Sequence, residues 1–163
     1  MAKLQEPFVI MLREQLYTER ELVDTLPKLI SETGDRELKT NLEHHLEETR
    51  EHVRRLEQVF EAIGQDANPK KSAVMNSLKK VHGELSKEAG DDLRDIVVAS
   101  AAASTEHYEI SVYEAAICVA KALGESRVER LLKQNLEQEQ QALEHAREAV
   151  EKLTMQHATA LTA

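Results

Sequence analysis

Four stretches of this chain carry apolar residues at alternating spacings of three and four, and two of the three gaps between them are only three residues long. That spacing is the signature of a helix that buries one stripe against its neighbours. The stripes predict long helices over about 7–31, 36–63, 93–123 and 127–157. The short gaps are "TGD" (33–35) and "GES" (124–126). In the first, Gly34 reads as a helix stop and Asp35 as the cap of the next helix. The third gap, 64–92, is long: a loop "GQDANPKK", a short helix within 72–90, and "DD" capping the third long helix. Pro27 is expected to bend the first helix near its end. The terminal "ATALTA" is expected to fray.

Two helical hairpins joined by a long crossover form a ferritin-like four-helix bundle, whereas an up-down-up-down bundle needs three short loops. A single domain of 163 residues is long enough for a real core. With only 5 Gly and 3 Pro, an all-α chain is expected. The net charge of −9 gives no general attraction for nucleic acid. The most apolar windows, 96–104 and 115–123, are too short to span a bilayer. No apolar leader opens the chain. Cys118 is alone, which excludes an internal disulfide, fits a reducing compartment and reads as a small buried thiol. A cytoplasmic protein without membrane association is expected.

Each stripe is interrupted by polar residues near its middle. The first runs Leu12, Leu16, Glu19, Val23, Leu26, Ile30, and the second Leu38, Leu42, His45, Thr49, His52, Leu56, Val59, Ile63. The third runs Ile96, Ala99, Ala103, Glu106, Ile110, Tyr113, Ile117, Ala120, and the fourth Val128, Leu132, Asn135, Glu139, Ala142, Ala146, Ala149, Leu153. Glu48 lies one step beside the second stripe, between its histidines. Glu19 and Glu48 stand 15 and 14 residues either side of Gly34, so antiparallel packing sets them level. Glu139 and Glu109 each stand 15 residues from Gly124, with Glu106 about one turn (~4.5 Å) away on the face of Glu109.

Several carboxylates in one dry zone cannot all stay ionised without positive compensation. No Lys or Arg occupies the central stripe positions. Two bound metal ions would supply the charge, and hard oxygen ligands with some imidazole suit iron, or manganese. A lone glutamate on such a stripe is more often a mis-phased surface residue, but convergence from four helices at one level is a stronger signal.

The segments "LYTERELVDTLPKL" (16–29), "HLEETREHVRRLEQVFEAIG" (45–64), "EHYEISVYEAA" (106–116) and "LLKQNLEQEQ" (131–140) resemble the ferritin-like YciF/YciE-type family of bacterial stress-associated proteins. The resemblance implies a dimetal carboxylate bundle related to rubrerythrin and bacterioferritin, and a homodimer. It implies Glu19, His45, Glu48, Glu106, Glu109 and Glu139 as metal ligands. General ferritin patterns place a histidine three residues after the second-helix glutamate, where this chain has Glu51. The lean of helical side chains favours His52 as the partner of Glu48, and the family pattern favours His45, so both stand. No histidine lies near Glu139, which predicts two unequal metal positions. Tyr113, on the stripe of Glu106, is a candidate for assisting the chemistry, or a packed core tyrosine. O2 or H2O2 is the expected substrate, with ferroxidase-, peroxidase- or catalase-like chemistry. The competing expectation is a metal-free helical scaffold acting through dimerisation or partner binding.

Overall fold

The computed structural model describes residues 2–162, with side chains over 4–160. Five α-helices account for nearly all of it: α1 (Ala2–Glu32), α2 (Arg36–Ala62), α3 (Ala73–Ala89), α4 (Arg94–Leu123) and α5 (Ser126–Thr162), with a single 3-10 turn at Asp91–Leu93 before α4. No strand occurs among the described residues. The all-α bundle with a crossover helix is therefore the observed fold.

Four long helices close a ring in which α1 packs on α2, α2 on α5, α5 on α4 and α4 on α1, while α3 lies against α4. The crossover travels the length of the bundle. It begins where the Lys70 N–H donates to the Arg13 carbonyl (3.0 Å), low on α1. It climbs through Tyr17 Oη donating to Asn76 Oδ1 (2.9 Å) and through an ion pair of Lys79 with Glu21. It ends beside the α1–α2 turn, where Asp95 accepts from the Gly34 N–H (3.0 Å) and the Asp35 N–H (2.6 Å). Neighbouring helices in the ring are thereby all antiparallel.

Helix ends follow their local chemistry. Asp35 Oδ1 accepts from the N–H groups of Glu37 (3.1 Å) and Leu38 (2.9 Å), filling two of the donors that the first turn of α2 leaves unpaired. Gly124 ends α4 in the left-handed region (φ 79°), where the Glu125 N–H reaches the Ala120 carbonyl (3.0 Å). Gly34 is different. Its φ is not positive, and a Cβ there would meet Asp95 Oδ2 at 3.3 Å. It makes room for Asp95 rather than supplying a left-handed stop, which corrects the expectation from sequence. Helix α1 starts earlier than expected and runs through both Pro7 and Pro27. Helix α5 is helical through Thr162, where fraying was expected.

The core consists of two apolar layers. One holds Phe8, Leu12, Leu16, Leu56, Phe60 and Leu132 among others. The other holds Leu22, Leu26, Leu38, Leu42, Met75 and Leu153 among others. In sequence, the polar breaks of all four stripes fall between the residues of these layers. Two of the expectations from phasing need correction on α4. Cys118 is exposed rather than buried. Ile96, Ala103, Ile110 and Ile117 are half-buried, and Val97, Val98, Thr105, Glu109 and Ala116 take the fully buried positions. No described helix is long and apolar enough to cross a membrane.

Candidate metal centre

Between the two apolar layers lies a polar zone with almost no access to water. Glu19, Glu109 and Glu139 are each 0% exposed, Glu106 is 2% exposed, His52 0% and His45 6%. Each comes from the middle of a long helix, where the apolar stripe of that helix fixes its inward direction. Glu19 projects from α1, His45 and His52 from α2, Glu106 and Glu109 from α4, and Glu139 from α5.

Two trios form there. In one, His52 Nδ1 lies 2.9 Å from Glu139 Oε1 and 3.4 Å from Glu19 Oε2. In the other, His45 Nε2 lies 3.2 Å from Glu106 Oε1, and Glu139 completes the group. Within each trio, ligand-capable atoms all lie within 4.8 Å of one another. Glu139 belongs to both. His45 and His52, one heptad apart, stand with ring centroids 6.5 Å apart. The structure thus brings both candidate histidines into the polar zone, one imidazole in each trio. Both trios hold the same number of histidines, although none lies near Glu139 in sequence.

Supporting side chains hold the zone in place. Tyr113 Oη donates to Glu19 Oε1 and accepts from Asn135 Nδ2 (2.9 Å). Gln15 Nε2 donates to Glu109 Oε1 (3.0 Å) and Glu19 Oε1 (3.3 Å). Gln138 Oε1 lies 3.1 Å from His52 Nε2, and its amide nitrogen donates to Glu48 Oε1 (3.2 Å). Arg55 donates to Gln138 Oε1 (2.7 Å) and to Asn135 Oδ1 (2.9 Å). Gln15, Gln138 and Arg55 escaped the sequence reading. Long polar side chains at the edge of a stripe look like surface residues until their partners are known.

Many ligand-capable atoms nevertheless have no hydrogen-bond partner. They are both nitrogens of His45, Nδ1 of His52, Oε2 of Glu19, Glu106 and Glu109, and both oxygens of Glu139. Nδ1 of His52 is close to Glu139 in distance but out of line for N–H donation. Buried polar atoms are almost always paired, and each exception asks for a cause such as an ion. Here nitrogen and oxygen lone pairs converge on shared space, as ligands around a cation do. The donor set of one imidazole and two carboxylates per trio suits iron or manganese and lacks the thiolates that favour softer ions.

Without ions, protons carry the compensating charge. Burial pushes the carboxyls of Glu139 and Glu109 well above the ordinary range, and the neighbouring carboxylates push the same way. Burial would lower both histidines, but Glu106 beside His45, and Glu19 and Glu139 beside His52, reverse this. His45 rises well above its ordinary value, and His52 is pushed up to about 10. Burial would raise Glu106 as well, but His45 brings it below the ordinary value. Burial among Glu19, Glu139 and Glu109 drives the Tyr113 phenol upward.

Of the expected site residues, Glu19, His45, His52, Glu106 and Glu139 form the trios. Glu109 and Glu48 stand outside them. Glu109 lies beside the first trio through Gln15. Glu48 sits at the rim, its side chain 12% exposed, with His44 Nδ1 at 3.4 Å and His45 Nδ1 at 3.8 Å from Oε2.

The family described as "Domain of unknown function (DUF892)" matches residues 3–159. Protein YciF of Escherichia coli (strain K12) is 31% identical over 144 residues, covering 85% of each chain. The solved structure of the E. coli stress protein YciF superposes with a TM-score of 0.87 at 27% identity, covering 94% of this chain and 98% of that one. YcfI from Rhodopseudomonas palustris, described as a putative structural protein, superposes with a TM-score of 0.85 at 32% identity, covering 88% and 92%.

Proposed function

We propose that this chain, which belongs to the DUF892 family, holds two iron or manganese ions where α1, α2, α4 and α5 converge, and that O2 or H2O2 is its substrate. The observation that carries this reading is a pair of buried trios sharing Glu139, whose ligand-capable atoms lack other partners. Glu19, His52 and Glu139 would hold one ion, and His45, Glu106 and Glu139 the other. Such a pair, when bound, supplies one electron from each ion to a two-electron oxidant.

The protein's own residues prepare that chemistry. The apolar layers keep bulk water out, which strengthens every charge interaction between them. Tyr113 and Gln15 fix the orientation of Glu19, and Gln138 fixes the outer nitrogen of His52. Histidines with one nitrogen committed to a neighbour present the other in a defined direction. Tyr113 would move a proton between its phenol oxygen and Glu19, a role supported by the hydrogen bond that it donates there. A stress-protective role is supported by the description of the E. coli relative as a stress protein. The same reading takes the particle to be a homodimer, which light scattering on purified protein checks, and places it in the cytoplasm, which cell fractionation checks.

A second reading has one observation in its favour: the R. palustris relative is described as a putative structural protein. In that case the chain is a metal-free helical scaffold. Anaerobic loading with Fe(II), followed by desalting and elemental analysis, separates the two. The dimetal reading expects about two ions per chain, as in other dimetal carboxylate bundles, with loss of binding in Glu139→Ala. No retained metal in the unaltered protein leaves the scaffold.

A further inference from the structure

Glu48 lies outside both trios, yet it links one of them to solvent. Gln138 holds its Oε1 (3.2 Å). Its Oε2 faces two imidazoles at once: His44 Nδ1 at 3.4 Å, on a side chain 70% exposed, and His45 Nδ1 at 3.8 Å, on a side chain 8% exposed. His45 then presents its opposite nitrogen to Glu106 in the buried trio, at 3.2 Å. Neither nitrogen of His45 has a hydrogen-bond partner, so a buried ring is aimed at the rim on one edge and at the centre on the other. A cavity of about 30 Å³ sits at this point, where His44, His45, Glu48, Glu106 and His145 face it alongside apolar residues of α2, α4 and α5 such as Leu42 and Ala142. That is room for one water-sized particle.

We propose that His44 and Glu48 form an outer cation site, through which a divalent metal ion passes to His45 and Glu106. The inference rests on the dimetal reading and assigns Glu48 to loading rather than to residence. Two protein ligands at a partly exposed position hold a divalent ion loosely, with water completing its shell. The inner trios offer three ligands each and share a carboxylate, so the ion moves toward the stronger set. His45 is the handover point because its two nitrogens face the two sites. The net charge of −9 also raises the concentration of cations around the chain.

The test is the rate of loading, with final occupancy measured separately. Metal-free protein is mixed with Co(II) in a stopped-flow instrument, and the visible absorbance of the bound ion is followed to completion. The unaltered protein, Glu48→Gln, Glu48→Asp and His44→Ala are compared, each checked for helix content. The proposal expects His44→Ala and Glu48→Gln to load roughly tenfold more slowly, to the occupancy of the unaltered protein, and Glu48→Asp to load at nearly the normal rate. Unchanged rates in both His44→Ala and Glu48→Gln overturn it and leave the dimetal reading standing. A lower final occupancy in Glu48→Gln also overturns it, since Glu48 would then be a resident ligand. An unaltered protein that takes up no ion overturns both. His44 is on the surface, so its variant keeps the test open if Glu48→Gln folds poorly.

Discussion

Replacing Glu139 with methionine should stabilise the metal-free protein while abolishing its response to metal. The side chain is fully buried, and neither of its oxygens has a hydrogen-bond partner. Without ions its carboxyl is held well above the ordinary value of 4.5 by burial and by Glu106 and Glu19. Its close favourable contact is His52 Nδ1 at 2.9 Å, and against this stand the desolvation of a buried carboxyl and the crowding of Glu106 and Glu19. Each imidazole keeps another carboxylate neighbour, Glu19 for His52 and Glu106 for His45, so its removal strands no charge. Exchanging buried charged groups for apolar ones of similar volume gains up to about 1–4 kcal/mol. A gain of about 2 kcal/mol in a chain of this size raises Tm by roughly 4–8 °C.

The pH dependence carries the same sign. Glu139 and Glu109 hold protons in the folded state that the unfolded chain releases above about 4.5, so stability falls as pH rises beyond that value. The stabilisation from His52 is full below its unfolded value of 6.5 and is lost as pH rises toward about 10. Each extra proton held by the folded form steepens the fall by about 1.4 kcal/mol per pH unit. The assay is thermal unfolding of metal-free protein from pH 5 to 8, by circular dichroism, with and without Fe(II) or Mn(II). The unaltered protein should lose stability with rising pH and regain it with metal, by about 2.7 kcal/mol at a hundredfold excess over Kd. Glu139→Met should start higher, fall less steeply and ignore the ions. A metal-free Glu139→Met protein that unfolds several degrees below the unaltered one would refute the reasoning, because the carboxyl would then be a net structural contact.

Asp35→Ala should cost about 1 kcal/mol in urea unfolding, since it removes the cap of α2. Hydrogen bonding from Leu38 lowers the Asp35 carboxyl below its ordinary value, so this contribution is present at neutral pH and lost as pH falls through the lowered value; the variant should differ least in acid. Leu56→Ala, at a fully buried position of the first apolar layer, should cost about 2–5 kcal/mol by the same measurement. Tyr113→Phe should cost about 1–3 kcal/mol, because Glu19 loses a donor and Asn135 an acceptor inside a closed core.

The second stripe shows how much of this was legible beforehand. Leu38, Leu42, His45, Thr49, His52, Leu56 and Val59 were all expected inward and are all buried, because polar and apolar residues alternate cleanly around α2; only Ile63, at its C-terminal cap, is half-buried. Helix α4 is apolar on nearly every side, so periodicity fixes its rotation poorly. Cys118 and Ile110 were assigned the wrong exposure there, while Glu106 and Tyr113 were placed correctly. Fraying at the end of α5 was expected because the segment is terminal, although "ATALTA" has no Gly or Pro to stop a helix. Counting residues from the turns set Glu19 level with Glu48, yet it is His52 that meets Glu19. His52 lies four residues beyond Glu48, one turn further along the helix axis, so a count from the turns finds the level only to within about one turn.

One carboxylate serving two trios has a consequence for how the centre fills. Glu139 can adopt only one pose at a time, and a pose suited to one trio with an ion in it is already settled for the other. On the dimetal reading, occupancy should thus be cooperative. Half-filled molecules should be scarce, titrations sigmoidal, and substitution at Glu139 should empty both positions together.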